Sequence, residues 1–301
     1  MLRGSDAKRG YMRWWHSFQG VCPTTQETRT FFVEYSILNP ALGTTQPILG
    51  QHPYYKRHGM KPSYVCIKAG VFPKNGDGGL QLQSYYPMTS LQVAQDPFYM
   101  QIEECVLSEN RISGAIEISE DTARHRSLMT DAGSFVWDLE MHKAVACHTG
   151  YIANAFFTVI HALESFWHGE GIRTFFRGTV NLNGVTYDIT PETSYGYADK
   201  HWGRSYNQPW LQFASGHLIS ERSGRELKHS EYHFGKPLTL PRCKWKVKET
   251  NKRFIWHFKA QNRTSVIRIS GSCSKEQMMP LLYENPDGKV SPAPLWEGGT
   301  A

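Results

Sequence analysis

The 301-residue sequence has no CxxC pair and no regular spacing among its six cysteines (Cys22, Cys66, Cys105, Cys147, Cys243, Cys273). It also has no apolar run approaching the ~20 residues of a membrane-spanning helix. Met1 to Arg13 is polar and basic, unlike a secretory leader with its apolar centre. The cysteines therefore read as reduced, mostly buried small hydrophobes, and the expected compartment is the cytoplasm. No GxGxxG or GxxxxGK[ST] motif follows a strand-like run, and HExxH is absent. Nucleotide and zinc chemistry thus lack their usual signatures. The pairs His161/His168 and His229/His233 read as ordinary hydrogen-bonded histidines, and no cofactor is expected.

Aromatic rings are what the chain does have: 13% of residues, with nine Trp, 15 Tyr and 15 Phe. Such rings favour strands and can line apolar pockets. The dominant hydrophobic period is two. Phe31, Val33, Tyr35 and Ile37 point one way while Phe32, Glu34 and Ser36 point the other. Ile112 to Ile118 and Phe135 to Met141 repeat the pattern. Ser108-Glu109-Asn110 reads as a hairpin loop between strands 101–107 and 111–119. Asn183-Gly184 joins Arg173–Leu182 to Val185–Ile189, since a tight primed turn needs positive φ at both central residues. A further hairpin runs from Arg242–Lys248 to Arg253–Lys259 around Thr250-Asn251.

These patterns predict an all-β protein. Only 154–167 reads as helix, with Phe157, Ile160, His161 and Glu164 at helical spacing and glycines after it. Two β domains are therefore expected, 1–165 and 166–301, bridged by a short helix near 155–168. The proline- and glycine-rich stretch 40–62 is long enough for a functional lid. Trp296 to Ala301 reads as the approach to a closing strand.

The formal net charge is +6. Arg242, Lys244, Lys246, Lys248, Lys252 and Arg253 concentrate part of it, but Cys243, Trp245 and Val247 alternate with the lysines. A solvated strand face is the first reading. Peripheral contact with an anionic membrane is the second, and nucleic acid is not an expected partner.

The most unusual segment is Thr193 to Arg204. On an extended chain Asp199 and His201 share one face, and Lys200 and Trp202 share the other. An acid beside an imidazole suits proton transfer. An ion-paired strand end with Trp202 in the core is the alternative.

The block Tyr195-Gly196-Tyr197-Ala198-Asp199-Lys200-His201-Trp202-Gly203-Arg204 resembles the signature of the tocopherol cyclase family. Plant members carry Glu-His-Asn where this chain has Asp199-Lys200-His201. Arg13-Trp14-Trp15-His16-Ser17-Phe18, Thr30-Phe31-Phe32-Val33-Glu34-Tyr35 and Glu164 to Gly171 resemble the bacterial members in the same order. The resemblance implies two lipocalin-like antiparallel barrels and a cofactor-independent cyclisation or hydration of a prenylated quinol or isoprenoid. Asp199, helped by His201 or Lys200, would protonate the alkene. Tyr195, Tyr197, Trp202, Trp210, Trp15 and Glu34 would surround the hydrophobic substrate. An ordinary Asp has a pKa of about 3.9. Burial among Tyr195, Tyr197 and Trp202 would therefore have to raise it, with Lys200 turned away. A non-catalytic carrier for a quinone, pigment or lipid, and an interaction module using strands 242–259, are the other readings.

Overall fold

In the computed structural model, residues 2–74, 76–147, 165–206, 210–215, 218–219, 224, 226–227, 230–235, 243–261, 263–264, 266–290 and 295–298 are described. The chain forms two compact units. The first comprises Met1–Val71, Leu80–Tyr206 and Leu282–Pro294; the second comprises Phe72–Gly79, Asn207–Leu281 and Leu295–Ala301.

The first unit is one antiparallel sheet. Its strands are β1 (Tyr11–Val21), β2 (Thr28–Leu38), β3 (Tyr64–Val71), β4 (Leu80–Tyr86), β5 (Leu91–Gln95) and β6 (Phe98–Ile102). They continue as β7 (Cys105–Ser108), β8 (Arg111–Ile118), β9 (Gly133–Cys147), β10 (Ser165–Leu182), β11 (Val185–Ile189) and β12 (Gly196–Gly203). The spatial order is β4-β3-β2-β1-β11-β10-β9-β8-β7-β6-β5, and β12 also pairs with β1 and β10. β11 and β12 lie end to end between two long neighbours. β1 meets β12 through Tyr11–Ser17 and β11 at Val21, while β10 meets β12 from Ser165 to Thr174 and β11 from Gly178 to Leu182.

The sheet curls into a closed barrel. Alternate residues of every long strand point inward, among them Trp14, Phe18, Phe31, Val33, Tyr35, Ile67, Leu107, Ile112, Phe135, Trp137 and Phe176, all 0–1% exposed. Each such side chain taken from water contributes roughly 1.5–3 kcal/mol. Tyr35 on β2 reaches across the lumen: its hydroxyl donates to the Val106 carbonyl of β7 (2.7 Å) and accepts from Trp137 Nε1 of β9 (3.2 Å). The lumen of this first barrel is therefore filled, where these residues stand, by the protein's own rings.

Three sequence expectations need correction. Ser165, Phe166 and Trp167 are strand, not helix, and 154–164 lie outside the described residues. A short apolar run fits either period, and pairing with β9 and β12 decides it. The boundary expected near 165 falls between strands of one sheet, because β10–β12 complete the first barrel. The single strand expected over 101–107 is split between β6 and β7 by a turn at Glu103, whose φ is 51°. The Asn183-Gly184 hairpin is as expected, with φ of 49° and 84°.

The loop 40–62 lies against the outer face of β1–β3. Leu49 packs with Tyr11, Leu38, Tyr64 and Cys66, and Asn39 Nδ2 donates to the Pro62 carbonyl at 2.7 Å. The segment Leu282–Val290 joins it there: Asn39 Nδ2 also donates to the Pro286 carbonyl (2.9 Å), and Gln51 donates to that of Gly288.

The second unit contributes β13 (Trp210–Ser215), β14 (Leu218–Ile219), β15 (Glu226–Leu227), β16 (Ser230–Gly235), β17 (Cys243–Glu249), β18 (Arg253–Gln261), β19 (Val266–Ser274), β20 (Met278–Leu281) and β21 (Leu295–Gly298). β17, β18 and β19 form a three-stranded meander. Trp256, Phe258 and Cys273 are buried on one of its faces, and the lysines of β17 are exposed on the other. The described cysteines Cys22, Cys66, Cys105 and Cys273 are buried and unbridged. Among the described residues no helix is long and apolar enough to cross a membrane.

Candidate functional site

β12 carries the block singled out in the sequence, and its entry requires glycine. A Cβ at Gly196 would stand 2.1 Å from the Thr174 carbonyl oxygen and 2.6 Å from the Phe176 ring. From there the pleat assigns faces, because directly opposed residues of neighbouring strands share one. Tyr197 stands opposite Ser17, Asp199 opposite Trp15 and His201 opposite Arg13 on the outer face. Ala198, Lys200 and Trp202 stand opposite His16, Trp14 and Met12 on the inner one.

On the outer face Asp199 is 2% exposed. Its Oδ2 accepts from the Tyr197 hydroxyl (2.8 Å) and from Trp167 Nε1 (3.0 Å), and His201 Nε2 lies 3.3 Å away. Its Oδ1 is buried and has no hydrogen-bond partner among the described residues. Burial works to raise the pKa of this carboxyl. His201, the Arg13 guanidinium and the Trp167 donor outweigh it and hold the group well below the usual carboxylate range. The expectation of a raised Asp199 pKa is thus overturned. Lys200 does turn away, but Arg13 from β1 supplies the cation that strand alternation within β12 could not reveal. Burial, with Arg13 in support, lowers the His201 pKa against the pull of Asp199 and so favours the neutral imidazole.

Glu34, 1% exposed, is the second buried anion of this face. It accepts from the Tyr283 hydroxyl (2.9 Å), with Arg13 Nη1 at 3.4 Å and Lys68 Nζ at 3.9 Å. Arg13 also donates to the Tyr283 oxygen (2.9 Å), and the Lys68 ammonium sits 3.6 Å from the Tyr283 ring centroid. Two carboxylates and two cations therefore balance, which is how buried charges are tolerated. Trp15 stacks on Phe32 with ring centroids 5.0 Å apart. A cavity of about 20 Å³ opens beside Glu34, Cys66, Lys68, Tyr206, Tyr283 and Glu284. That is room for one water rather than a prenyl chain. Burial pushes the Glu284 carboxyl up to about 7 despite hydrogen bonds from Gly50 and Gln51.

The inner face is different. The Lys200 ammonium lies over the rings of Trp14 (4.8 Å) and Trp202 (5.8 Å), and Trp202 stacks on Phe166. Lys143 pairs with Glu170 at 2.8 Å. His16 is fully buried between Tyr35 and Phe176, and burial, with Lys143 nearby, lowers its pKa to about 4.

Of the residues named from sequence, Asp199, His201, Tyr197, Trp15 and Glu34 thus stand on one face. Lys200 and Trp202 stand on the other, so Trp202 does not wall Asp199. The Tyr195 hydroxyl donates to the Ile172 carbonyl (3.3 Å). Trp210 opens β13 of the second unit opposite Gly235, and its side chain lies outside the described set. Sequence reasoning missed Arg13, Lys68, Trp167, Tyr283 and Glu284. Arg13 alone had a signal, since alternation from Trp15 puts it on the same face. Among the described residues no group of three His, Cys, Asp or Glu side chains stands together as a metal site.

No family model matches the chain, and no curated protein matches it. Among solved structures it is similar to an AttH-type protein from Nitrosomonas europaea, with 7% identity, 85% of this chain and 78% of that one covered, and a TM-score of 0.43. Kievitone hydratase from Nectria haematococca gives 14% identity, coverage of 97% and 72%, and a TM-score of 0.35. CghA with Sch210972 gives 10%, coverage of 94% and 81%, and 0.40. The tocopherol cyclase resemblance thus rests on the quoted segments alone.

Proposed function

We propose that the outer face of β12 performs proton-transfer chemistry on a hydroxylated, hydrophobic small molecule, adding an O–H across a carbon–carbon double bond as in hydration or ring closure. The observation that carries this is the Asp199–His201 pair. A carboxylate held ionised beside a neutral buried imidazole orients the ring and stabilises the imidazolium formed when the ring takes a proton. His201 accepts the proton of a phenol or water and, as the imidazolium, gives it to one alkene carbon. The oxygen then captures the cation left on the adjacent carbon, and His201 is as it began. Asp199 Oδ1, which has no hydrogen-bond partner among the described residues, is the acceptor that receives the substrate hydroxyl. Trp15 and Tyr197 flank the pair and offer aromatic faces to a carbon bearing positive charge.

A prenylated hydroquinone incubated in heavy water tests this. The product should be cyclised and carry one solvent-derived deuteron on carbon. Asp199→Asn should lower turnover about 10²–10⁴-fold while the quinol still quenches tryptophan fluorescence, and Lys200→Met should change little. Turnover at the wild-type rate in Asp199→Asn would remove the dyad from the chemistry. Tight binding by wild type and variant alike, with no turnover in either, favours the second reading, a carrier for hydrophobic quinols. The aromatic lining of the face supports that reading independently of Asp199.

A further inference from the structure

The three-stranded meander of the second unit has one face whose composition its own fold does not explain. The pleat puts Lys244, Lys246 and Lys248 of β17 on that face with Arg253, Ile255, His257 and Lys259 of β18. Arg268, Ser270, Ser272 and Ser274 of β19 complete it. No aspartate or glutamate shares it: Glu249, the nearest in sequence, stands opposite Phe254 on the other side and pairs with Lys275. Lys244, Lys259 and Arg268 are directly opposed in a single row across all three strands. Like charges so placed repel one another and weaken a sheet. None of these three makes an ion pair or hydrogen bond with a described residue. Beside the row, the Arg253 guanidinium donates to Ser272 Oγ (3.1 Å), and His257 Nδ1 lies 2.9 Å from Ser270 Oγ. Lys244, Lys246, Lys248 and Arg268 are exposed. On the opposite face Trp256, Phe258 and Cys273 are buried. The basic side chains of the three strands therefore all stand on the side away from these residues.

We infer that this face docks on a bilayer carrying anionic lipid headgroups. Three features favour a lipid surface over nucleic acid. Among the described residues the face is a pleated sheet with no helix or ribbon rising from it to enter a groove. It carries no Trp, Tyr or Phe on which a base could stack, and the His257 imidazole is tied to Ser270 Oγ. Its uncharged members include hydroxyls, the Gln261 amide and two aliphatic side chains, Ile255 and the exposed Val266, which suit the headgroup layer. Headgroup phosphates placed over the row relieve its repulsion, so the arrangement that costs stability in water becomes favourable at the membrane.

The test is flotation of the full chain with vesicles of neutral phosphatidylcholine, with and without about 30 mol% phosphatidylserine, at about 0.05 M and about 0.5 M salt. Binding is expected only to the anionic vesicles and only at low salt. A triple variant, Lys244→Gln, Lys259→Gln and Arg268→Gln, should lose at least about tenfold in partitioning. Its thermal midpoint should equal or exceed that of the wild type, because the repulsive row has been removed. A control that removes charge elsewhere (Lys56→Gln with Arg57→Gln) should bind as wild type. Equal binding to neutral vesicles, unchanged binding by the triple variant, or the same loss in the control would overturn the inference. So would row-dependent binding to duplex DNA that outcompetes the vesicles.

Discussion

Replacing Glu284 by glutamine tests whether the buried polar face is organised as described, because it removes one ionisation while keeping the side-chain shape. In the fold, burial drives the Glu284 carboxyl from 4.5 up to about 7. At ~1.4 kcal/mol per pH unit this carries about 3 kcal/mol. A raised carboxyl favours its protonated form in the folded state. Its stabilisation is thus complete below pH 4.5 and is lost as pH climbs to about 7. His16 acts in the opposite sense. Its pKa falls from 6.5 to about 4, so its stabilisation is complete above pH 6.5 and is lost as pH drops. His201, whose pKa burial also lowers, acts in the same sense as His16. Between pH 4.5 and 6.5 the Glu284 slope opposes theirs. Glu284→Gln should therefore steepen the rise of stability with pH there. The variant should match wild type near pH 4.5 and exceed it by about 3 kcal/mol from neutral pH upward. Urea titrations followed by tryptophan fluorescence at a series of pH values would measure this. With m of about 2–3 kcal/mol/M the difference is about 1 M in midpoint. Wild-type and variant profiles that run parallel from pH 4 to 8 would refute the assignment of a strained, water-starved carboxyl at this position.

Gly196→Ala should cost about 1–3 kcal/mol or more, because its new methyl meets the Thr174 carbonyl oxygen, which β10 cannot withdraw without breaking register. A loss in the chemical midpoint measures it, and a neutral result would mean β12 enters differently. Tyr35→Phe deletes the hydroxyl that joins the Val106 carbonyl to the Trp137 indole. It should cost about 1–3 kcal/mol, read from the same titration, and Trp137→Phe should cost less in the Tyr35→Phe background than alone.

What the sequence made legible is what a pleat makes local. The period of two, the Asn183-Gly184 turn and the shared face of Asp199 and His201 follow from geometry within a few residues, and each is found in the structure. What it hid is register. Arg13 meets His201, and Tyr283 meets both Arg13 and Glu34, only because strands far apart in sequence are neighbours. The direction of the Asp199 pKa depends on those partners, so a reading confined to β12 saw burial and missed the guanidinium that outweighs it. The run ending in Ser165-Phe166-Trp167 was ambiguous for a different reason. Its apolar spacing suits a helix, and only ladders with distant strands make it β.

A lumen filled by Trp14, Phe31, Tyr35, Phe135, Trp137 and Phe176 makes the barrel a wall rather than a vessel. Because each strand turns alternate residues to each side, the positions that fill the lumen and those of the outer face are interleaved along the chain yet physically separate. Substitutions at Ser17, Trp15 or Phe32 reshape the outer face without altering the volume that the rings must fill. The proposed site can therefore change while the packed lumen stays as it is, a freedom unavailable to a barrel that carries its cargo inside.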